Sequence, residues 1–184
     1  GNTDVDLDGI AVSTPIDLNT GTIKDFGANN AGLNLIAPTL PLVLVNGDIP
    51  VITNVTAPAN GLYVLGQDVE FSVTYSEPVN VTGDPKLVLN VGGDIITAIY
   101  ISNTSADTLL FRYVVQPNDE DADGIDLITA VDSSTATIQD ATSNNAVNTF
   151  DYVATGGIII DGSIPDITAV TIDDATYTID QNMY

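Results

Sequence analysis

The chain repeats itself, and this constrains the fold more than any other feature. Shifted by 115 residues, the sequence falls on its own earlier part without a gap. "DVDLDGI" at 4–10 meets "DEDADGI" at 119–125, and "GTIKD" at 21–25 meets "ATIQD" at 136–140. Asn29, Asn30 and Ala31 meet Asn144, Asn145 and Ala146. "NGDIP" at 46–50 meets "DGSIP" at 161–165, and "VITNVT" at 51–56 meets "DITAVT" at 166–171. After a one-residue deletion, Tyr63 meets Tyr177.

A period this long is one small domain rather than a solenoid turn. With the boundary at the Gly/Asp/Pro linkers, residues 1–48 are the C-terminal part of one repeat, 49–164 are a complete repeat, and 165–184 begin a third. A second phasing, with the acidic loop at the boundary, fits the same repeat. The chain opens mid-pattern with no signal peptide, and is read as a piece excised from something longer.

Alternation sets the fold class. In "DVEFSVTY", Val69, Phe71, Val73 and Tyr75 share one face. Leu87, Leu89 and Val91 do the same in "KLVLNV", as do Leu109, Phe111, Tyr113 and Val115 in "TLLFRYVV". Period two marks half-buried antiparallel strands. "ITNVT", "IITAIYI", "ATIQD", "TFDYV" and "GIIID" are shorter strand candidates, and Arg112 takes an outward position. Turn residues punctuate the strands at Asn60-Gly61, Pro78, Gly83 to Pro85 and Gly92-Gly93. No segment has a helical period. Many short strands at close spacing predict an antiparallel β-sandwich with Greek-key connections.

Composition narrows the chemistry. The chain has 25 acids against three bases, Lys24, Lys86 and Arg112, for a net charge of −22. That argues against nucleic acid and anionic membrane as partners, and no apolar run is long enough for membrane insertion. Cys, His and Trp are all absent. Thiolate and imidazole metal sites and Ser-His-Asp or Cys-His catalysis are therefore impossible. Oxygen-seeking ions remain, calcium first. Paired carboxylates alone could cleave glycosides, but these acids lie in loops without an aromatic sugar platform. The expectation is that the chain is not an enzyme.

The candidate metal ligands fall in two groups. Asp4, Asp6 and Asp8, and their copies Asp119, Asp121 and Asp123, alternate before Gly9 and Gly124. Alternating acids in an irregular loop can turn two or three carboxylates toward one calcium ion. An EF-hand is excluded, because its twelfth position holds Pro15 and Ala130 and no helices flank the loop. The other reading is a solvated turn at a strand entry. Asp48, Asp161 and Asp166 form the second group, in the linkers, with Glu77 close to a junction. A calcium ion there would couple consecutive repeats; an ordinary acidic linker is the alternative. Asp25 and Asp140, in "KDFGANN" and "QDATSNN", are better suited to side-chain-to-backbone bonds in tight loops.

"VTYSEPVNVTGDPKLVLNVGG" at 73–93 resembles the SWM-type Ig-like repeat, as do "ADTLLFRYVVQPNDEDADGI" at 106–125 and "ATIQDATSNNA" at 136–146. Such repeats stand in tandem in giant RTX-type bacterial surface adhesins and in cyanobacterial cell-surface proteins. The resemblance implies an Ig-like sandwich, secretion to the bacterial surface, a spacer or display role, and often calcium. The functional expectation is a structural extender, rigidified by calcium and partnered by neighbouring repeats of its own chain. The alternatives are a carbohydrate- or protein-binding sandwich module and an appended domain of a secreted hydrolase. The partial repeats expose sheet edges and are expected to pack on the central domain or to exchange strands in a homo-oligomer.

Overall fold

The computed structural model describes residues 4–36, 38–40 and 43–171. Residues 172–184, which hold most of the expected third repeat and Tyr177, lie outside them. The described residues form strands and loops, with no helix among them.

Fifteen strands follow in order: β1 (Val5–Asp6), β2 (Ile10–Ala11), β3 (Thr39–Leu40), β4 (Val45–Asn46), β5 (Ile52–Thr56), β6 (Gly61–Val64), β7 (Asp68–Tyr75), β8 (Asn80–Gly83), β9 (Lys86–Val91), β10 (Asp94–Ser105), β11 (Thr108–Val114), β12 (Glu120–Asp121), β13 (Asp126–Asp132), β14 (Ala136–Gln139) and β15 (Ile158–Asp161). A six-stranded antiparallel sheet has the order β13-β9-β10-β11-β7-β5. A three-stranded sheet, β12-β15-β6, and the pair β14-β8 complete the central repeat. The large sheet curls, an arrangement consistent with a β-sandwich.

The alternating strands put their apolar faces where the pattern predicts. Val69, Phe71, Val73, Tyr75, Leu87, Leu89, Val91, Leu109, Phe111, Tyr113 and Val115 are all buried. Ile125, Leu127, Val131, Ile138, Ile158 and Ile160 join them in one hydrophobic cluster. Removing this much apolar surface from water is the main force holding the sheets together. Arg112 is on the outer face, where its Nη2 donates to Glu70 at 2.6 Å and its Nε lies 3.2 Å from Asp68. "TFDYV" departs from expectation. It forms no strand, only an isolated bridge of Thr149 to Ala130. The backbone there is held at single points instead, with the Phe150 N–H donating to the Thr129 carbonyl at 3.1 Å.

The 115-residue repeat is also a repeat of geometry. β1 pairs with β4 as Val5↔Asn46 and Asp6↔Val45, and β12 pairs with β15 as Glu120↔Asp161 and Asp121↔Ile160. Lys24 bridges Asn30 as Gln139 bridges Asn145. The copies differ in what they cover. Ile125, Leu127, Val131, Ile138, Ile158 and Ile160 are buried, while their counterparts Ile10, Val12, Ile16, Ile23, Val43 and Val45 are not. The N-terminal copy keeps the loops and short pairings of a repeat without its six-stranded sheet.

Candidate functional site

The second acidic loop is tied to the fold by hydrogen bonds. Asp121 is 6% exposed. One of its carboxylate oxygens accepts the Gly124 N–H at 2.7 Å, and the other accepts the Gly92 N–H at 2.7 Å. The carboxylate thus joins its own turn to the β9–β10 hairpin. Gly92 suits that approach: its φ is +58°, and a Cβ would sit 2.0 Å from the Glu120 carbonyl oxygen. Asp119 accepts the Gln116 N–H at 2.8 Å and the Tyr113 hydroxyl on the same oxygen. Burial, followed by the Asp119 carboxylate, pushes the Tyr113 hydroxyl well above its ordinary range. Asp123 and Asp126 are exposed.

The first loop copies this in reduced form. Asp6 accepts the Gly9 N–H at 2.9 Å and the Asp8 N–H at 3.3 Å on one oxygen. Asp4 and Asp8 are exposed. The Asp4 carbonyl accepts the Gly47 N–H at 2.9 Å, as the Asp119 carbonyl accepts Gly162 at 2.7 Å. These acids organise turns by side-chain-to-backbone bonds. Among the described residues, no three carboxylates converge into a group able to hold a metal ion.

The linker acids behave differently. Asp161 accepts the Ser163 hydroxyl at 2.5 Å and N–H at 3.0 Å, which lower its pKa below the usual carboxylate value. Asp166 is exposed. At the first junction, Asn144 reaches across to the linker, and its side-chain amide donates to the Asp48 carbonyl at 2.9 Å. Asp140 anchors Asn144, accepting its N–H at 2.8 Å and the Thr142 N–H at 2.8 Å on one oxygen. Burial pushes the Asp140 pKa up, but these bonds outweigh it and the net value is lowered. Glu77 is the exception among these acids. Burial first, then the charges of Asp140 and Asp48, raise its pKa. Glu77 thus feels the charges of Asp48 and of Asp140, a residue that the sequence suited to a loop role. Asp25, the earlier copy of Asp140, holds Asn29 in the same way, through its N–H at 2.8 Å and its side-chain amide at 3.0 Å.

In the acidic loop each Asp121 oxygen accepts a backbone N–H. At the junction the charges of Asp140 and Asp48 act on Glu77, and carboxylate oxygen is what calcium takes. Compared with known proteins, the chain matches no family model, no curated protein and no solved structure.

Proposed function

We propose that the chain is a stretch of a tandem Ig-like β-sandwich array, acting as a non-catalytic extender in the stalk of a secreted bacterial cell-surface adhesin. One observation carries the reading: the same strand register and loop bonds recur 115 residues apart, with a clamped linker between the copies. An array needs units of constant geometry and joints of controlled stiffness. The strand order β9-β10-β11-β7 supports Greek-key connections, since the three-strand meander β9-β10-β11 brings its last strand back beside the earlier strand β7. The motifs at 73–93, 106–125 and 136–146 support the SWM-type resemblance.

Calcium is proposed as the stiffening ion, held at the junction by Asp48 and Glu77. Its charge would cancel the repulsion that Asp140 and Asp48 impose on Glu77. Affinity is expected in the range of extracellular modules, on the order of 0.1–1 mM. Calorimetric titration of the chain with calcium should give a binding heat that the Asp48→Asn/Glu77→Gln double variant lacks. Absence of heat in the unaltered chain, up to several times that range, would refute a calcium-stiffened joint.

A second reading is a ligand-binding module on the outer sheet face. It is favoured by Ile95, Ile99 and Ile101, which alternate along β10 and stand 66%, 52% and 40% exposed. Glycan or protein capture lost on Ile99→Asp would favour it over the extender.

A further inference from the structure

We propose that the outer face of the six-stranded sheet docks on the same face of a second copy of this chain, about a two-fold axis that runs between β10 and β11. The inference rests on the reading of this face as a binding surface, and it names the partner; it needs no calcium.

The strand registers set five positions in one row across the face. Asp132 pairs with Lys86, Lys86 with Ile99, Ile99 with Arg112, and Arg112 with Glu70. A sequence neighbour of each, Val131, Leu87, Ala98, Phe111 or Phe71, is buried in the core, so the row itself faces outward. In charge it reads acid, base, apolar, base, acid. Two of the chain's three bases stand in it, and its formal charge is zero in a chain of −22. Copies of so acidic a molecule repel one another, and a neutral row with an apolar centre is where they can approach. Ile95 and Ile101, both exposed, extend that centre along β10.

The order of the charges selects the geometry. Laid directly on itself, the row sets base against base and acid against acid. Displaced by one strand, it becomes complementary. With the two-fold axis between β10 and β11, Lys86 faces the second copy's Glu70, and Glu70 faces the second copy's Lys86. Ile99 then lies over the aliphatic stem of the second copy's Arg112, beside a hollow of about 310 Å³ that Thr97, Ile99, Arg112 and Val114 help to line. Each contact occurs twice, as an isologous interface requires. Glu70 keeps its own 2.6 Å bond to Arg112, so the second copy's lysine adds to that ion pair without replacing it.

The contact is small. The five strands of the row, at about 4.8 Å spacing, and the Ile95–Ile101 stretch, at about 3.3 Å per residue, give roughly 400 Å² per copy. A standard interface takes about 800 Å² from each partner. The association is therefore weak for a single repeat, and it gains strength by multivalency where repeats stand side by side in arrays.

Sedimentation of the full chain should show a monomer–dimer equilibrium that shifts with concentration. Ile99→Asp and Ile95→Asp should each suppress it while the chain still melts cooperatively. Carbodiimide coupling, which joins an amine directly to a carboxylate, should give a dimer band whose peptides link Lys86 to Glu70. Within one copy these residues stand three strands apart, about 14 Å, so that link reports on a second copy. A chain that stays monomeric up to about 1 mM would overturn the proposal. So would association unchanged by both substitutions, or dimers without the Lys86–Glu70 link. Capture of a glycan or a foreign protein by a monomeric chain, lost in Ile99→Asp, would keep the face as a binding surface and overturn its assignment to a second copy.

Discussion

Asp121 bridges Gly124 and Gly92, with both N···O distances 2.7 Å, whereas among the described residues its copy Asp6 holds only its own turn, accepting Gly9 and Asp8. Among the described residues, the same repeat position therefore ties together two parts of the fold in one copy and a single turn in the other. Asp121→Ala strips two backbone N–H groups of their acceptor and should cost roughly 2–6 kcal/mol in denaturant unfolding, from an unsatisfied-donor penalty of about 1–3 kcal/mol each. Asp6→Ala should change unfolding of the central repeat by about 0.5 kcal/mol or less. Equal effects would mean that the bridge to Gly92 contributes nothing.

The two glycines of the β9–β10 hairpin should respond unequally to the same substitution. Both have positive φ, +58° at Gly92 and +99° at Gly93. A Cβ on Gly93 meets nothing within 4 Å, while one on Gly92 strikes the Glu120 carbonyl at 2.0 Å. Gly93→Ala should cost about 1–2 kcal/mol, the ordinary left-handed penalty. Gly92→Ala should cost clearly more, because the acidic loop must move away. Chemical denaturation of both variants checks the order.

Glu77 makes stability at the junction pH-dependent. Its folded pKa is raised, so the folded chain binds that proton more readily than the unfolded chain. The ionised side chain therefore lowers stability at neutral pH, and this loss is relieved as pH falls through the folded pKa. Glu77→Gln in chelator should be more stable than the unaltered chain at pH 7, with the difference closing in the acid range. Asp140 works in the opposite sense. Its lowered pKa gives stability that is present above the ordinary carboxylate range and lost as pH falls through its folded value. That contribution is common to both proteins and largely cancels in the comparison. Melting curves across pH check the convergence.

The strands were legible in the sequence because alternation is local: every core-facing residue read from β7, β9 and β11 is buried. The repeat was legible as well, down to the matching registers of β1-β4 and β12-β15. The work of the acids was not. Asp121 reads as one of three equivalent loop carboxylates, since its second donor, Gly92, lies 29 residues away across the fold. The "NVGG" turn and the "DEDADG" loop are one unit in space and two in sequence. Asn144 was legible as a loop residue beside Asp140, but its reach to the Asp48 carbonyl spans 96 residues. "TFDYV" has strand-forming residues, but its backbone bonds go to scattered partners rather than to one neighbouring edge.

The central claim is that divalent cation controls the stiffness of a joint between repeats whose acids otherwise repel. The most direct test is the thermal melting midpoint of the chain in excess EDTA and in millimolar calcium at constant ionic strength. The account predicts a midpoint that rises with free calcium once it exceeds the dissociation constant, by linkage to the folded state, and a smaller rise in the Asp48→Asn/Glu77→Gln variant. Coincident melting curves in EDTA and calcium would contradict it.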